Sequence, residues 1–151
     1  MLFRSIEPGR FLVARAGTLV ARVLHVRDRA GSPMAILDAG MTELIRPALY
    51  GAVHPVVALT TLGRALDGGA EQADATETRV EGPICESTDA LGVHRLPPLA
   101  RGDLVAIVDA GAYGTSLGST YNGRPRPPQV LVEQDGSLTL GRRRGSVSAL
   151  G

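Results

Sequence analysis

The chain of 151 residues contains no lysine, and all sixteen of its basic residues are arginine. Arginine stays protonated and grips a carboxylate or phosphate through two parallel hydrogen bonds, whereas only lysine forms an imine with an aldehyde cofactor. The chain can therefore bind anions but supplies no Schiff base. Cysteine occurs once, at Cys85, which excludes an internal disulfide and a cysteine-based metal cluster. Aromatic residues make up 3%, too few for the stacking surface on which a β-barrel reads single-stranded nucleic acid. The basic run Arg142–Arg144 sits in a chain of net charge +1, so no nucleic-acid partner is expected. No apolar run approaches the ~20 residues of a membrane span. The start, Met1-Leu-Phe-Arg-Ser-Ile-Glu-Pro8, lacks the apolar core of a secretory signal. A cytoplasmic protein without membrane contact is the expectation. His25, His54 and His94 are scattered without ligand spacing, so no metal site is expected and all three read as structural.

What is present points to one folded domain. Hydrophobic residues make up 44% and charged residues 21%, near the globular average. Nineteen glycines and ten prolines punctuate short runs rich in Val, Leu, Ile and Thr, the rhythm of a mainly β domain. Strands are predicted at Phe11–Ala16, Thr18–Asp28, Met34–Asp38, Val56–Thr61, Glu77–Val80, Leu104–Asp109, Gln129–Glu133 and Ser137–Leu140. Gly17 and Asp135-Gly136 are predicted hairpin turns, because glycine accepts the positive φ that tight turns require. Leu104-Val-Ala-Ile-Val108 is apolar on both faces and is expected inside the core. The expected architecture is a Greek-key-like β-barrel or sandwich with one or two short helical turns. Those turns are read in Thr42–Gly51, with Thr42 as cap, Pro47 near the start of a second turn and Gly51 as stop. Leu62–Thr76 reads as a variable surface loop.

Several segments carry residues suited to chemistry. Glu7-Pro8-Gly9-Arg10 is a turn, either plain or placed at the end of a barrel strand where ligands bind. Arg46 and Tyr50, one turn apart, form either a solvated charge beside a ring or a clamp for a carboxylate. Cys85 fits a small buried hydrophobe or, in an electropositive and partly exposed setting, a proton donor. Cys85 and Glu86 would face opposite ways in a strand, so only a loop lets both serve one site. Tyr113, flanked by Gly111 and Gly114 after the most hydrophobic strand, suits a phosphate cradle of backbone amides. Glycine there also signals close backbone approach. The spacing is not that of a dinucleotide fingerprint.

In order, Glu7-Pro-Gly-Arg10, Asp38-Ala-Gly-Met41, Leu44-Ile-Arg-Pro-Ala-Leu-Tyr50, Gly82-Pro-Ile-Cys-Glu-Ser87, Asp109-Ala-Gly-Ala-Tyr-Gly114 and Tyr121-Asn-Gly-Arg-Pro-Arg-Pro127 resemble the second half of the diaminopimelate decarboxylases. The resemblance covers nearly the whole chain outside Leu62–Thr76. It implies pyridoxal phosphate as cofactor and a two-domain protein: an alanine-racemase-like TIM barrel carrying the cofactor lysine, then a carboxy-terminal β-domain. Residues 1–10 would be the barrel's last strand, around Leu2–Glu7, and residues 11–151 the β-domain, with most of the barrel missing.

The resemblance also implies roles. Glu7 would pair with the cofactor's pyridine nitrogen. Pro8, Gly9 and Arg10 would face its phosphate, and Arg10 also the substrate. Arg46 and Tyr50 would hold the distal amino-acid end of meso-diaminopimelate, and Tyr113 would contact phosphate and substrate. Cys85 would be the proton donor, with Glu86 binding the substrate's distal amino group. In the family these sites are shared across a homodimer, so the Cys85–Glu86 pair would serve the partner's barrel. Glu86 favours diaminopimelate, since related ornithine decarboxylases carry aspartate after the cysteine. The expectation is a part of a lysine-producing decarboxylase that is inactive alone. The alternatives are a non-catalytic β-domain for dimerisation or ligand binding, and a decarboxylase of another diamino acid.

Overall fold

The computed structural model describes residues 8–29, 31–59 and 74–149. Their elements run α1 (Gly9–Val13), a 3₁₀ turn (Ala14–Ala16), β1 (Leu19–Arg29), β2 (Ser32–Leu37), α2 (Arg46–Tyr50), β3 (Val56–Leu59), β4 (Thr76–Glu81), β5 (Ala90–Leu96), β6 (Leu104–Ile107), β7 (Gln129–Val132) and β8 (Leu138–Arg142), with 3₁₀ turns at Tyr121–Gly123 and Val147–Ala149. Glu7 and the barrel strand expected around Leu2–Glu7 lie outside the described residues. So do positions 60 and 61 of the predicted strand Val56–Thr61 and most of the predicted Leu62–Thr76 loop.

One six-stranded sheet has the order β3-β6-β1-β2-β4-β5, and β7-β8 form a separate pair. Neighbours are antiparallel except β2 and β4, which run parallel. The end strands β3 and β5 come into contact, so the sheet curls into a nearly closed barrel. β1 makes the curl possible. Its first part, Leu19–Arg22, pairs with β6, and its second part pairs with β2 across a bulge between Val23 and His25. A bulge bends and twists a strand, and here it turns the sheet from one half of the barrel to the other.

β6 is the most buried element, with Val105 and Ile107 at 0% exposure and Ala106 buried on the opposite face. It lies between β3 and β1, as its two apolar faces required. Around it pack Val23, Leu37, Leu44, Val80, Leu91 and Leu96. At ~25 cal/mol per Å² of apolar area removed from water, such a cluster is the main force holding the barrel together.

Three expectations are corrected, and one strand was missed. Phe11–Ala16 is helical rather than a strand: its apolar run has no alternation, and Leu12 N–H donates to the Pro8 carbonyl at 3.1 Å. Short apolar runs do not distinguish the two conformations by pattern alone. Gly17 makes no hairpin, because its φ is −127°. It is glycine because a β-carbon there would lie 2.4 Å from Gly111 Cα. Thr42 does not cap α2, whose N-cap is Ile45 without a side-chain bond. Its hydroxyl donates instead to Glu43 Oε2 at 2.8 Å. β5 went unpredicted, since Gly92 with φ +109° and a register shift opposite Val80 break its alternation. Gly51 does end α2, with φ 61° and its N–H bonded to the Pro47 carbonyl at 3.0 Å. Asp135-Gly136 turns β7 into β8, with Gly136 at φ 81°.

Candidate active site

The end of β6 and the two short helices meet at an open cleft of about 570 Å³, lined among others by Pro8, Arg10, Arg15, Arg46, His54 and Asp109. Three arginines lining one cleft suit a carboxylate or phosphate. Arg46 is brought there by α2, a helix set by Pro47 in its first turn and Gly51 at its end. Its NH1 donates to His54 Nε2 at 3.1 Å, and its guanidinium carbon lies 6.0 Å from the Tyr113 ring centroid, within cation–π range. The partner ring of Arg46 is thus Tyr113; Tyr50, one turn along α2, is 66% exposed.

Tyr113 and Asp109 both have positive φ, 64° and 58°. A bulky side chain in the left-handed region is rare and strained, and these two residues bracket the turn that follows β6. Close packing against the amino-terminal turns holds it. A β-carbon on Gly111 would lie 2.0 Å from the Val13 carbonyl oxygen, and Gly111 N–H donates to the Ala14 carbonyl at 2.9 Å. The Gly111 amide expected to be free for a phosphate is therefore already taken.

Cys85 and Glu86 are exposed on the loop between β4 and β5 and do not line this cleft. The loop is fixed from inside by Asp89, which is 3% exposed. Asp89 Oδ2 accepts from Ile84 N–H at 2.9 Å, Oδ1 accepts from Met41 N–H at 2.6 Å, and Gly82 N–H donates to the Asp89 carbonyl at 2.8 Å. From the far side, Tyr121 OH donates to Glu86 Oε1 at 2.5 Å. That bond to the Glu86 carboxylate, followed by its charge, raises the Tyr121 pKa above the ordinary phenol value. Arg124, three residues on, donates through NH2 to the Asp38 carbonyl. Its Nε is 3.5 Å from Glu43 Oε1, an ion pair without hydrogen-bond geometry.

The family model of the pyridoxal-dependent decarboxylase C-terminal sheet domain matches residues 11–111. The chain belongs to this family. Along 97% of its length it is 45% identical to the diaminopimelate decarboxylase of Streptomyces coelicolor, covering 34% of that protein. It is 41% identical to that of Escherichia coli K12, again over 97% of the chain and 36% of the relative. A crystal structure of diaminopimelate decarboxylase superposes with a TM-score of 0.85 at 39% identity, over 94% of this chain and 34% of that one. The Helicobacter pylori enzyme complexed with L-lysine gives 0.81 at 34% identity, over 95% and 33%. The chain thus spans about a third of the length of these relatives.

For a member of the pyridoxal-dependent decarboxylases the cleft fits in part. Its arginines suit the anionic groups of a cofactor or amino acid, and the chain has no lysine to hold an aldehyde cofactor as an imine. Arg10 and Pro8 share the cleft with Arg46; Gly9 opens α1 beside them. Sequence reasoning missed His54, Asp89 and Tyr121 as site residues. For Asp89 a signal existed: Gly40 and Gly82 stand in two separate motifs, and both are glycine because each backbone presses on the same carboxylate.

Proposed function

We propose that the chain is the carboxy-terminal part of a cytoplasmic, homodimeric, pyridoxal-phosphate-dependent enzyme that converts meso-diaminopimelate to L-lysine and CO2. The cofactor, when bound, supplies an electron sink for the charge left by CO2 loss. This chain's residues bind the substrate and hold the proton. Arg46, with Tyr113 over its face, binds the substrate's distal carboxylate, and Arg10 shares that cleft. Tyr50 extends the clamp at the rim of α2. Glu86 takes the distal ammonium group, and Cys85 delivers from Sγ the proton that replaces CO2. Glu7, Pro8 and Gly9 complete the cofactor's surroundings beside Arg10, and Tyr113 reaches both phosphate and substrate.

The observation that carries this reading is the separation of the two halves of the site. The thiol–carboxylate pair is exposed on a loop clamped by Asp89 and Tyr121, while the arginines line a different cleft. A pair presented outward in this way suits a site completed by a second copy, in the isologous manner of a two-fold dimer. Identity of 41% and 45% over 97% of this chain to two diaminopimelate decarboxylases supports the substrate. The test joins this chain to the cofactor-bearing part of the Streptomyces coelicolor relative and measures CO2 and lysine formed from meso-diaminopimelate, with ornithine as competitor. Turnover of diaminopimelate that falls at least about a hundredfold in Cys85→Ser, within the usual range for losing a proton-transfer group, is expected. Unchanged turnover in that variant contradicts the role of Cys85.

A further inference from the structure

We infer that His54 is a positioning residue: a neutral imidazole, protonated on Nδ1, that fixes the Arg46 guanidinium in the orientation required to receive a carboxylate. The functional half of this statement rests on the proposed role of Arg46; the protonation state rests on hydrogen bonding alone.

His54 is 2% exposed, so each ring nitrogen needs a protein partner. Nε2 lies 3.1 Å from Arg46 NH1, and Nδ1 lies 3.2 Å from the Val108 carbonyl oxygen. A guanidinium has donors and no acceptor, so Nε2 must accept and carry no hydrogen. A carbonyl oxygen has no hydrogen to give, so Nδ1 must donate. One tautomer satisfies both contacts. An imidazolium would set N–H against N–H and two cations in direct contact, and the other neutral tautomer fails at both ends.

The backbone around the ring is rigid. Val108 N–H donates to the Pro55 carbonyl at 3.0 Å, continuing the pairing in which Val56 faces Ile107. His54 thus bridges from the start of β3 to the end of β6, two strands of the most buried part of the barrel. Against that support, one N–H of Arg46 is spent on Nε2 and one face is covered by Tyr113. The guanidinium so held lines the cleft, and its remaining donors are fixed with it. A guanidinium held at one edge loses less freedom on binding an anion than one swinging on a free side chain, so preorganisation appears as substrate affinity.

Two isosteric substitutions separate this role from mere packing. In His54→Gln the amide can place its oxygen where Nε2 stood, keeping the acceptor for Arg46 and losing the bond to Val108. In His54→Asn the amide nitrogen can stand at Nδ1, keeping the bond to Val108 and losing the acceptor for Arg46. In the holoenzyme that carries this domain, Asn is expected to raise KM for meso-diaminopimelate about tenfold, the loss typical of a hydrogen bond to a charged group, with kcat changed less than about threefold. Gln is expected to stay near the parent KM. Equal effects, or a larger effect from Gln, overturn the inference. Arg46→Gln in the same enzyme separates the two claims: if KM is unchanged, the carboxylate reading of Arg46 falls and the function of His54 with it. If KM rises there while the two His54 variants are alike, only His54 is refuted. Should both variants fail to fold, the ring nitrogens of the unmodified full chain decide. Long-range ¹H–¹⁵N spectra must show the hydrogen on Nδ1, and a hydrogen on Nε2 overturns the inference.

Discussion

Gly82 lies so close to Asp89 that a β-carbon built on it would come 2.1 Å from Oδ1, and one built on Gly40 would come equally close to the same oxygen. Two glycines from separate sequence motifs are thus spent on seating one buried carboxylate. The carboxylate in turn ties the turn before α2 to the loop bearing Cys85 and Glu86.

Gly82→Ala is therefore expected to destabilise the chain by about 1–3 kcal/mol, the usual cost of overpacking a closed site. Gly9→Ala, where nothing lies within 4 Å, should stay within about 0.5 kcal/mol. Urea denaturation of the two variants provides the comparison. Equal stability would mean that the loop yields and the clamp is soft.

Asp89→Ala removes the acceptor of two amides at once. Leaving buried N–H groups unpaired costs about 1–3 kcal/mol each, and the local effect should exceed the global one. Amide hydrogen exchange is expected to lose protection at Met41 and Ile84 while Val105 and Ile107 in β6 keep theirs. Uniform loss across the barrel would make Asp89 a general core residue instead of a clamp on the loop.

The phenol of Tyr121 ionises above its ordinary value because it donates to Glu86 and faces its charge. A folded-state value raised in this way means that the bond is fully present below the ordinary tyrosine range, and is lost as pH rises through the raised value. Glu86→Gln removes the charge and is expected to lower the titration of Tyr121, followed by the ring ¹³Cζ shift. An unchanged titration would show that the two side chains do not meet in solution.

Core truncation should fall hardest on β6. Ile107→Ala removes a side chain with 0% exposure, for which about 2–5 kcal/mol is expected. Val20→Ala, at 56% exposure on the neighbouring strand, should cost less than about 1 kcal/mol. Thermal unfolding of both gives the contrast, and similar melting temperatures would contradict the central placement of β6.

The fold was legible wherever pattern and punctuation agree. Leu104–Ile107 has no polar face and lies mid-sheet; Gly51 and Gly136 stop a helix and turn a hairpin through positive φ, as glycine permits. It failed where local pattern is silent. Phe11–Val13 carries no alternation, and only its end, at the Val13 carbonyl, comes up against Gly111; the bulge of β5 hides its period. Within the site, the exposed loop position of Cys85 and Glu86 follows from Gly82-Pro83 before them and matches the condition that both serve one site. The partners that hold them are distant in sequence: Asp89 acts on Met41 and Tyr121 on Glu86. His54 lacks any ligand spacing, and its bond to Arg46 arises only when α2 and β3 fold back on β6. Such contacts depend on topology and leave no local signature.

In the proposed enzyme this chain contributes the proton donor and substrate clamp, while the cofactor lysine comes from residues outside it and the site forms between two copies. Mixing two variants of the joined enzyme tests it most directly: one carrying Cys85→Ser, the other with the barrel lysine replaced by alanine. Each alone should be inactive toward meso-diaminopimelate. On exchange of subunits, about a quarter of the parent activity should return, since half the dimers are mixed and one of their two sites is intact. No recovery, with mixed dimers demonstrated, would place Cys85 in the same subunit's site and contradict the account.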